Sequence, residues 1–137
     1  MEVSQAVWEL VNERMATSGV LATADKDGKP NVGIYGSLRM PDKSTVTMVM
    51  GETRSLANLK ENPNAAFSTC TGSSPADAKG CRMYLKVKDI QTEGEALENG
   101  KKMVAEAVNE AAAEMLKAAV IFEVTETRPL MDFGQGI

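Results

Sequence analysis

Met50 to Phe67 reads MGETRSLANLKENPNAAF. Met50 ends a run, TVTMVM from Thr45, whose β-branched residues suit a half-buried pleated surface. Gly51 interrupts it. Thr53 carries the hydroxyl of a helix N-cap, which accepts a hydrogen bond from a first-turn N–H. Leu56 and Leu59 then recur at helix spacing. Asn62-Pro63 stops the helix, because the residue before a proline is pushed out of the α region. Ala65-Ala66-Phe67 opens another strand. Arg54 and Ser55 fall in the first turn, where N–H groups are unpaired and the helix end is partly positive. A lone arginine gains nothing from that field, but an anion does. Two readings stand: a capped surface helix, or a phosphate seat with Arg54 as a two-pronged donor, Ser55 as a hydroxyl donor and Asn58 one turn on.

Upstream, GVLATA from Gly19 is a short apolar run that ends in DKDGKP, where Asp27-Gly28 signals a turn. NVGIYGSLRM returns as a strand, and PDKS turns into TVTMVM. Residues 19–51 thus read as a three-stranded antiparallel meander. Residues 2–17 read as a helix with Ser4 as cap and Val3, Val7, Leu10 or Val11, and Met15 on its buried stripe.

Downstream, AAFSTCT is a fourth strand, GSSPADAKG a loop, and CRMYLKVKDIQTEGEA a long fifth strand. Met83, Leu85 and Val87 face one way on it, and Tyr84, Lys86 and Lys88 the other. Residues 96–116 read as one helix burying Val104, Val108, Ala111 and Met115. KAAVIFEVTE is the sixth strand. TRPLMDFGQGI is a tail that Pro129 keeps out of the sheet interior. Six antiparallel strands with few helices give a mainly β (α+β) chain, in which a small barrel with flanking helices competes with an open sheet.

The chain has 137 residues, 43% hydrophobic and 25% charged, with a net charge of −4 and no histidine. That is a one-domain length with enough apolar residues for a real core. No Lys/Arg cluster builds a nucleic-acid face. The lack of histidine removes the commonest general base and zinc ligand, and no metal site is expected. Cys70 and Cys81 lack CxxC spacing and read as two reduced thiols, with a redox pair as the alternative. The N-terminus has neither a signal-peptide pattern nor a span, so a soluble cytoplasmic protein without membrane partners is expected.

Gly33 and Gly36 flank Tyr35 in VGIYGS. Glycines inside a strand mark a bend or bulge, or the close approach of a ligand or another backbone. Tyr35 offers a flat face to an aromatic ring. With the glycine strand beside the end of the third strand, a ring at one and a phosphate at the other describe a phosphorylated aromatic cofactor.

The order GVLATADKDGKPNVGIYGS … TVTMVMGETRSLANLKENPNAAF resembles the pyridoxamine 5'-phosphate oxidase-like family of FMN-binding split barrels, in its small single-domain members. The resemblance implies a six-stranded antiparallel split β-barrel with flanking helices over residues 1–137, as one domain. It implies FMN held without a covalent link, with Arg54 and Ser55 on the phosphate and Asn58 in support. Gly33, Ile34, Tyr35, Gly36 and Ser37 would line the ring or ribityl chain, and Met50, Gly51 and Thr53 would border them. It also implies a homodimer with FMN at the subunit interface, the second subunit adding Arg128-Pro129-Leu130 and Phe133. The small-residue fifth strand of many relatives is Lys86-Val87-Lys88 here, and the substrate-gripping C-terminal residues of the true oxidases have no clear match. The expected function is FMN-dependent oxidoreduction, with no catalytic side chain assigned. The alternatives are a non-catalytic flavin carrier or sensor, a relative that binds haem or a deazaflavin, and a purely structural dimer.

Overall fold

The computed structural model describes residues 1–13, 19–72 and 74–131. Helix α1 spans Gln5–Glu13, strand β1 Gly19–Ala24, β2 Pro30–Ile34 and β3 Thr45–Met50. Helix α2 is Arg54–Glu61, followed by β4 Asn64–Thr71 and β5 Lys79–Gln91. Helices α3 (Glu95–Ala107) and α4 (Glu110–Glu114) precede β6, Ala118–Pro129. No helix among the described residues is long and apolar enough to cross a membrane.

The strands form one antiparallel sheet in the order β2-β1-β4-β5-β6-β3. It curls into a split barrel around Leu21, Phe67, Met83, Leu85, Val46 and Phe122, all buried. Alternation along each strand sets which side chains face inward. The β1–β2 turn takes the form expected for Asp27-Gly28. Gly28 adopts φ +84°, and Asp25 Oδ1 accepts from the N–H groups of Asp27 and Lys29 at 2.9 Å each.

The three-stranded meander is corrected. β1 and β2 pair as expected, but β3 lies at the far edge against β6. Both are apolar runs that can be covered on two faces, by the barrel core inside and by α3 outside, where Val49 and Ala119 meet Leu97. The chain after β2 then returns along the free edge of β3. Arg39 bridges Thr47, with N···O distances of 2.9 and 2.8 Å, and Ser37 Oγ donates to Val49 O at 2.9 Å while accepting from Val49 N at 3.3 Å. These contacts close the gap between the sheet edges.

Helix α1 secures that closure. Asn12 Oδ1 accepts from Met40 N at 2.8 Å, and Asn12 Nδ2 and Trp8 Nε1 both donate to Met40 O at 3.0 Å. The peptide groups of Met40 are therefore satisfied by side chains where no strand reaches them. Ser4 caps α1 as expected, its Oγ accepting from Val7 N at 3.2 Å. Val3 and Val11 are buried on the expected stripe, while Met15 lies outside the described residues.

Two further expectations change. The helix over 96–116 is broken at Val108-Asn109, where Asn109 caps α4 by accepting from Ala112 N at 2.8 Å. The break shifts the phase. α3 buries Leu97 and Gly100 with Val104 half-covered, while Val108 and Met115 are 64% and 71% exposed. Gly100 is required there because a Cβ would collide with the Val49 side chain. The tail is also shorter than expected, since β6 runs to Pro129, paired with Cys81. Beyond Val124, β5 is the only strand paired with β6 among the described residues, so a proline missing its N–H is tolerated at that end.

Asn12→Ala would leave the Met40 N–H without an acceptor. Urea denaturation should show a loss of about 1–3 kcal/mol, against a change within about 0.5 kcal/mol for exposed Glu13→Ala.

Candidate functional site

The N-terminus of α2 is built as the sequence indicates. Thr53 is the N-cap in extended backbone, φ −113° and ψ 165°, and its Oγ1 accepts from Leu56 N at 3.2 Å. Its carbonyl takes the Ala57 N–H at 3.1 Å. Among the described residues the N–H groups of Arg54 and Ser55 have no acceptor, and the exposed Arg54 guanidinium has no ion-pair or hydrogen-bond partner. Both features fit an anion site: donors converge at a helix end where the backbone field favours negative charge. The neighbouring Asp25 carboxyl is held below its ordinary pKa, chiefly by the Lys29 N–H, with smaller contributions that include the charges of Lys29 and Arg54.

Tyr35 ties this helix end to β2. Its hydroxyl lies 2.9 Å from Thr53 Oγ1, and its N–H continues the β1–β2 ladder to Gly19 O at 3.0 Å. The ring folds back over Gly33, where a Cβ would stand 2.9 Å from Tyr35 Cε2 and 3.4 Å from Ser55 Oγ. Within this chain, then, the space freed by Gly33 is taken by Tyr35 and Ser55. Ser55 is 1% exposed, beneath β2, and its Oγ accepts a long bond from Asn31 Nδ2 at 3.4 Å.

Next to Tyr35 opens an apolar cavity of about 250 Å³. One wall carries Ile34, Tyr35, Gly36, Ser37, Met50 and Gly51, six of the residues expected at a cofactor. The other wall comes from α3 and the approach to β6, with Met103, Val104, Ala107 and Leu116. The chain closes down tightly on Gly51, where a Cβ would lie 2.8 Å from the Met115 carbonyl oxygen. Such a pocket, mostly apolar with a few polar groups, is the usual form of a small-molecule site.

Two expected residues lie elsewhere within the chain. Asn58 is buried and donates Nδ2 to Thr23 Oγ1 at 3.1 Å, which fastens α2 to β1. Leu130 follows β6, four strands from β2 across the sheet, and lines a cleft with Cys70, Pro75 and Ala78. Phe133 lies outside the described residues. Cys70 and Cys81 occupy adjacent strands, but Cys81 pairs with Thr69 and faces the core, whereas Cys70 is exposed on the other face. That geometry removes the redox-pair reading. Burial pushes the Cys81 thiol up to about 11.

Sequence reasoning missed Arg39 and the α3 wall. The wall depends on how a helix packs across the sheet, which no local pattern reports. Arg39 had a signal, a lone cation among apolar residues in SLRM.

The family model of pyridoxamine 5'-phosphate oxidase matches residues 5–129. The chain belongs to that family. An uncharacterized protein of Methanocaldococcus jannaschii is 32% identical over 112 residues, covering 77% of this chain and 68% of the relative. An FMN-binding protein from Syntrophomonas wolfei subsp. wolfei superposes with a TM-score of 0.82 at 23% identity, over 91% of this chain and 84% of that one. HutZ, a haem storage protein from Vibrio cholerae, superposes with a TM-score of 0.63 at 17% identity, over 94% and 95% of the two chains. At these identities the two structural matches speak for the shared fold. It is a fold on which the two proteins' names record different ligands.

Thr53→Val removes both the α2 cap and the partner of Tyr35. It should cost about 1–2 kcal/mol in urea denaturation, whereas Tyr35→Phe, which removes only the second bond, should cost about 0.5–1.5 kcal/mol.

Proposed function

We propose that this member of the family is a flavoprotein that binds FMN without a covalent link and works as an oxidoreductase. The observation that carries the reading is the junction at Tyr35. One end of it meets the α2 N-terminus with its free donors, and the other borders an apolar cavity. A phosphate and a flat ring on one ligand need just those two environments side by side.

The Arg54 guanidinium and the N–H groups of Arg54 and Ser55 would take the phosphate, with Lys29 adding positive charge nearby. Ser55 Oγ is covered by Asn31 in this structure, so its hydroxyl would join only after the Asn31 amide turns aside. The ribityl chain would pass Tyr35 and Thr53. The ring would lie against the Ile34–Ser37 backbone at the open side of the cavity, near Met50 and Gly51. Asn58 would support from below by holding α2 on β1. Bound FMN supplies the hydride- or electron-accepting chemistry, and the protein supplies orientation, a dry apolar wall and fixed donors. No histidine or other proton-transfer side chain is required of the chain for that.

A homodimer with the cofactor at its interface is part of the same proposal. Val32 and Ile34 on edge strand β2 are 69% and 71% exposed, and Val20, paired with Ile34 on β1, is 41% exposed. An uncovered apolar strand edge of this kind favours association. A second copy seated there would bring residues such as Leu130 toward the site from outside the chain.

Flavin fluorescence titration tests the reading. The wild-type protein should bind FMN more tightly than riboflavin, which lacks the phosphate, and should sediment as a dimer. Arg54→Glu should weaken FMN by about 2 kcal/mol or more, roughly thirtyfold, while leaving riboflavin little changed. Equal affinity for the two flavins, or binding of haem or a deazaflavin in preference to FMN, would overturn the assignment. Turnover of a nicotinamide donor by the FMN complex separates an oxidoreductase from a passive carrier or sensor.

A further inference from the structure

Arg39 is a half-buried cation with no acidic partner among the described residues. Its Nη1 donates to two main-chain carbonyls, Gly36 O at 2.9 Å and Leu38 O at 2.7 Å. Among the described residues, no carboxylate lies within ion-pair distance of it, and Nε and Nη2 have no acceptor. Burial lowers the pKa of the group from its ordinary value, with no nearby acid opposing the shift. A guanidinium nonetheless stays charged in a protein. The Nε and Nη2 of Arg39 reach solvent rather than being sealed in, so a ligand in the cavity would take the place of water on them.

Its position says what could meet it. Arg39 belongs to the wall of the apolar cavity of about 250 Å³ and also to that of a second, larger cavity of about 500 Å³, which shares Ser37, Arg39 and Val49 with it. The two carbonyls that hold Nη1 fix the plane of the fork. The free Nε and Nη2 share one edge of that plane, and a carboxylate matches such an edge with two parallel hydrogen bonds. A phosphate matches the same edge, but its second negative charge calls for a second cation. No second cation lines either cavity, and Glu95 lines the larger one. The walls available to the rest of the ligand are mostly apolar, with Tyr35, Val49, Met103, Val104 and Leu116 lining the same cavity as the guanidinium.

We propose that Arg39 anchors the carboxylate of a small, otherwise apolar organic acid seated in the cavity between β3 and α3. The ligand class is an aryl or short aliphatic monocarboxylate. Its place beside a flavin ring, and hence its standing as a substrate, rests on the FMN reading above. The anchor itself does not. Arg39 is a binding residue here, and its bonds to Gly36 and Leu38 serve to aim it.

Calorimetric titration with benzoate and its neutral isostere benzamide tests this on flavin-free protein. The wild type should prefer benzoate by about tenfold, the worth of one charge-assisted pair. Arg39→Gln should weaken benzoate and leave benzamide unchanged, so that the ratio falls to about one. Arg39→Lys, which keeps the charge and loses the flat edge, should fall between. Inorganic phosphate should bind more weakly than benzoate. Equal binding of benzoate and benzamide by the wild type overturns the proposal, and so does a preference that survives in Arg39→Gln. If Arg39→Gln does not fold, the wild-type ratio and its decrease in Arg39→Lys decide the matter. Failure of the wild type to bind FMN would sink the flavin reading and leave the benzoate preference to be judged by itself.

Discussion

The peptide groups of Met40 hold the two edges of the sheet together. They lie where β2 has ended and no strand partner is available, so Asn12 and Trp8 reach across from α1 to satisfy them. With that point fixed, Ser37 and Arg39 are laid along β3 and the open sheet becomes a split barrel. Everything around the site follows from this seam. It brings Tyr35 under the α2 N-terminus, makes Ser37 and Met50 neighbours, and turns Arg39 toward the space beneath α3. An unpaired N–H at buried Met40 would be expensive, so backbone satisfaction enforces the seam together with the apolar burial of Leu38 and Met40.

Thr53 shows how the same economy serves the site. One hydroxyl caps α2 and meets Tyr35, so the helix start and β2 are held in a single geometry. Gly33 is part of this arrangement, because any side chain there would displace the Tyr35 ring. The capped-helix and phosphate-seat readings of ETRS are therefore not rivals. Thr53 satisfies Leu56 N and leaves the N–H groups of Arg54 and Ser55 open. An anion at Arg54 would complete a helix start that its own cap leaves incomplete.

Much of this was legible in the sequence because it is local. The Asp27-Gly28 turn, the Thr53 cap, the stop at Asn62-Pro63 and the alternation of Met83, Leu85 and Tyr84 each depend on a few neighbouring residues. The partner of β3 was not legible, since pairing with β6 joins segments some seventy residues apart. Nor was the break at Asn109, because Ala and Glu on both sides carry the helical pattern through it. Of the cavity, the strand-side residues Ile34 to Ser37, Met50 and Gly51 are ones that glycine placement and the family resemblance single out. The α3 wall and Arg39 were not, because tertiary packing alone brings them there. Asn58, expected in support of the phosphate seat, has its amide inside the fold on Thr23, a contact that no local pattern reports.

The central claim is that the phosphate of FMN sits on the first turn of α2. The direct measurement is amide chemical-shift mapping by NMR as FMN is added to the flavin-free protein, with riboflavin as the control. FMN should move the Arg54 and Ser55 N–H resonances strongly downfield, as charge-assisted bonds to these donors form. Riboflavin should leave those two in place while perturbing Tyr35 to Ser37 as FMN does. Unmoved Arg54 and Ser55 amides under saturating FMN, with the perturbed residues clustered elsewhere on the fold, would contradict it.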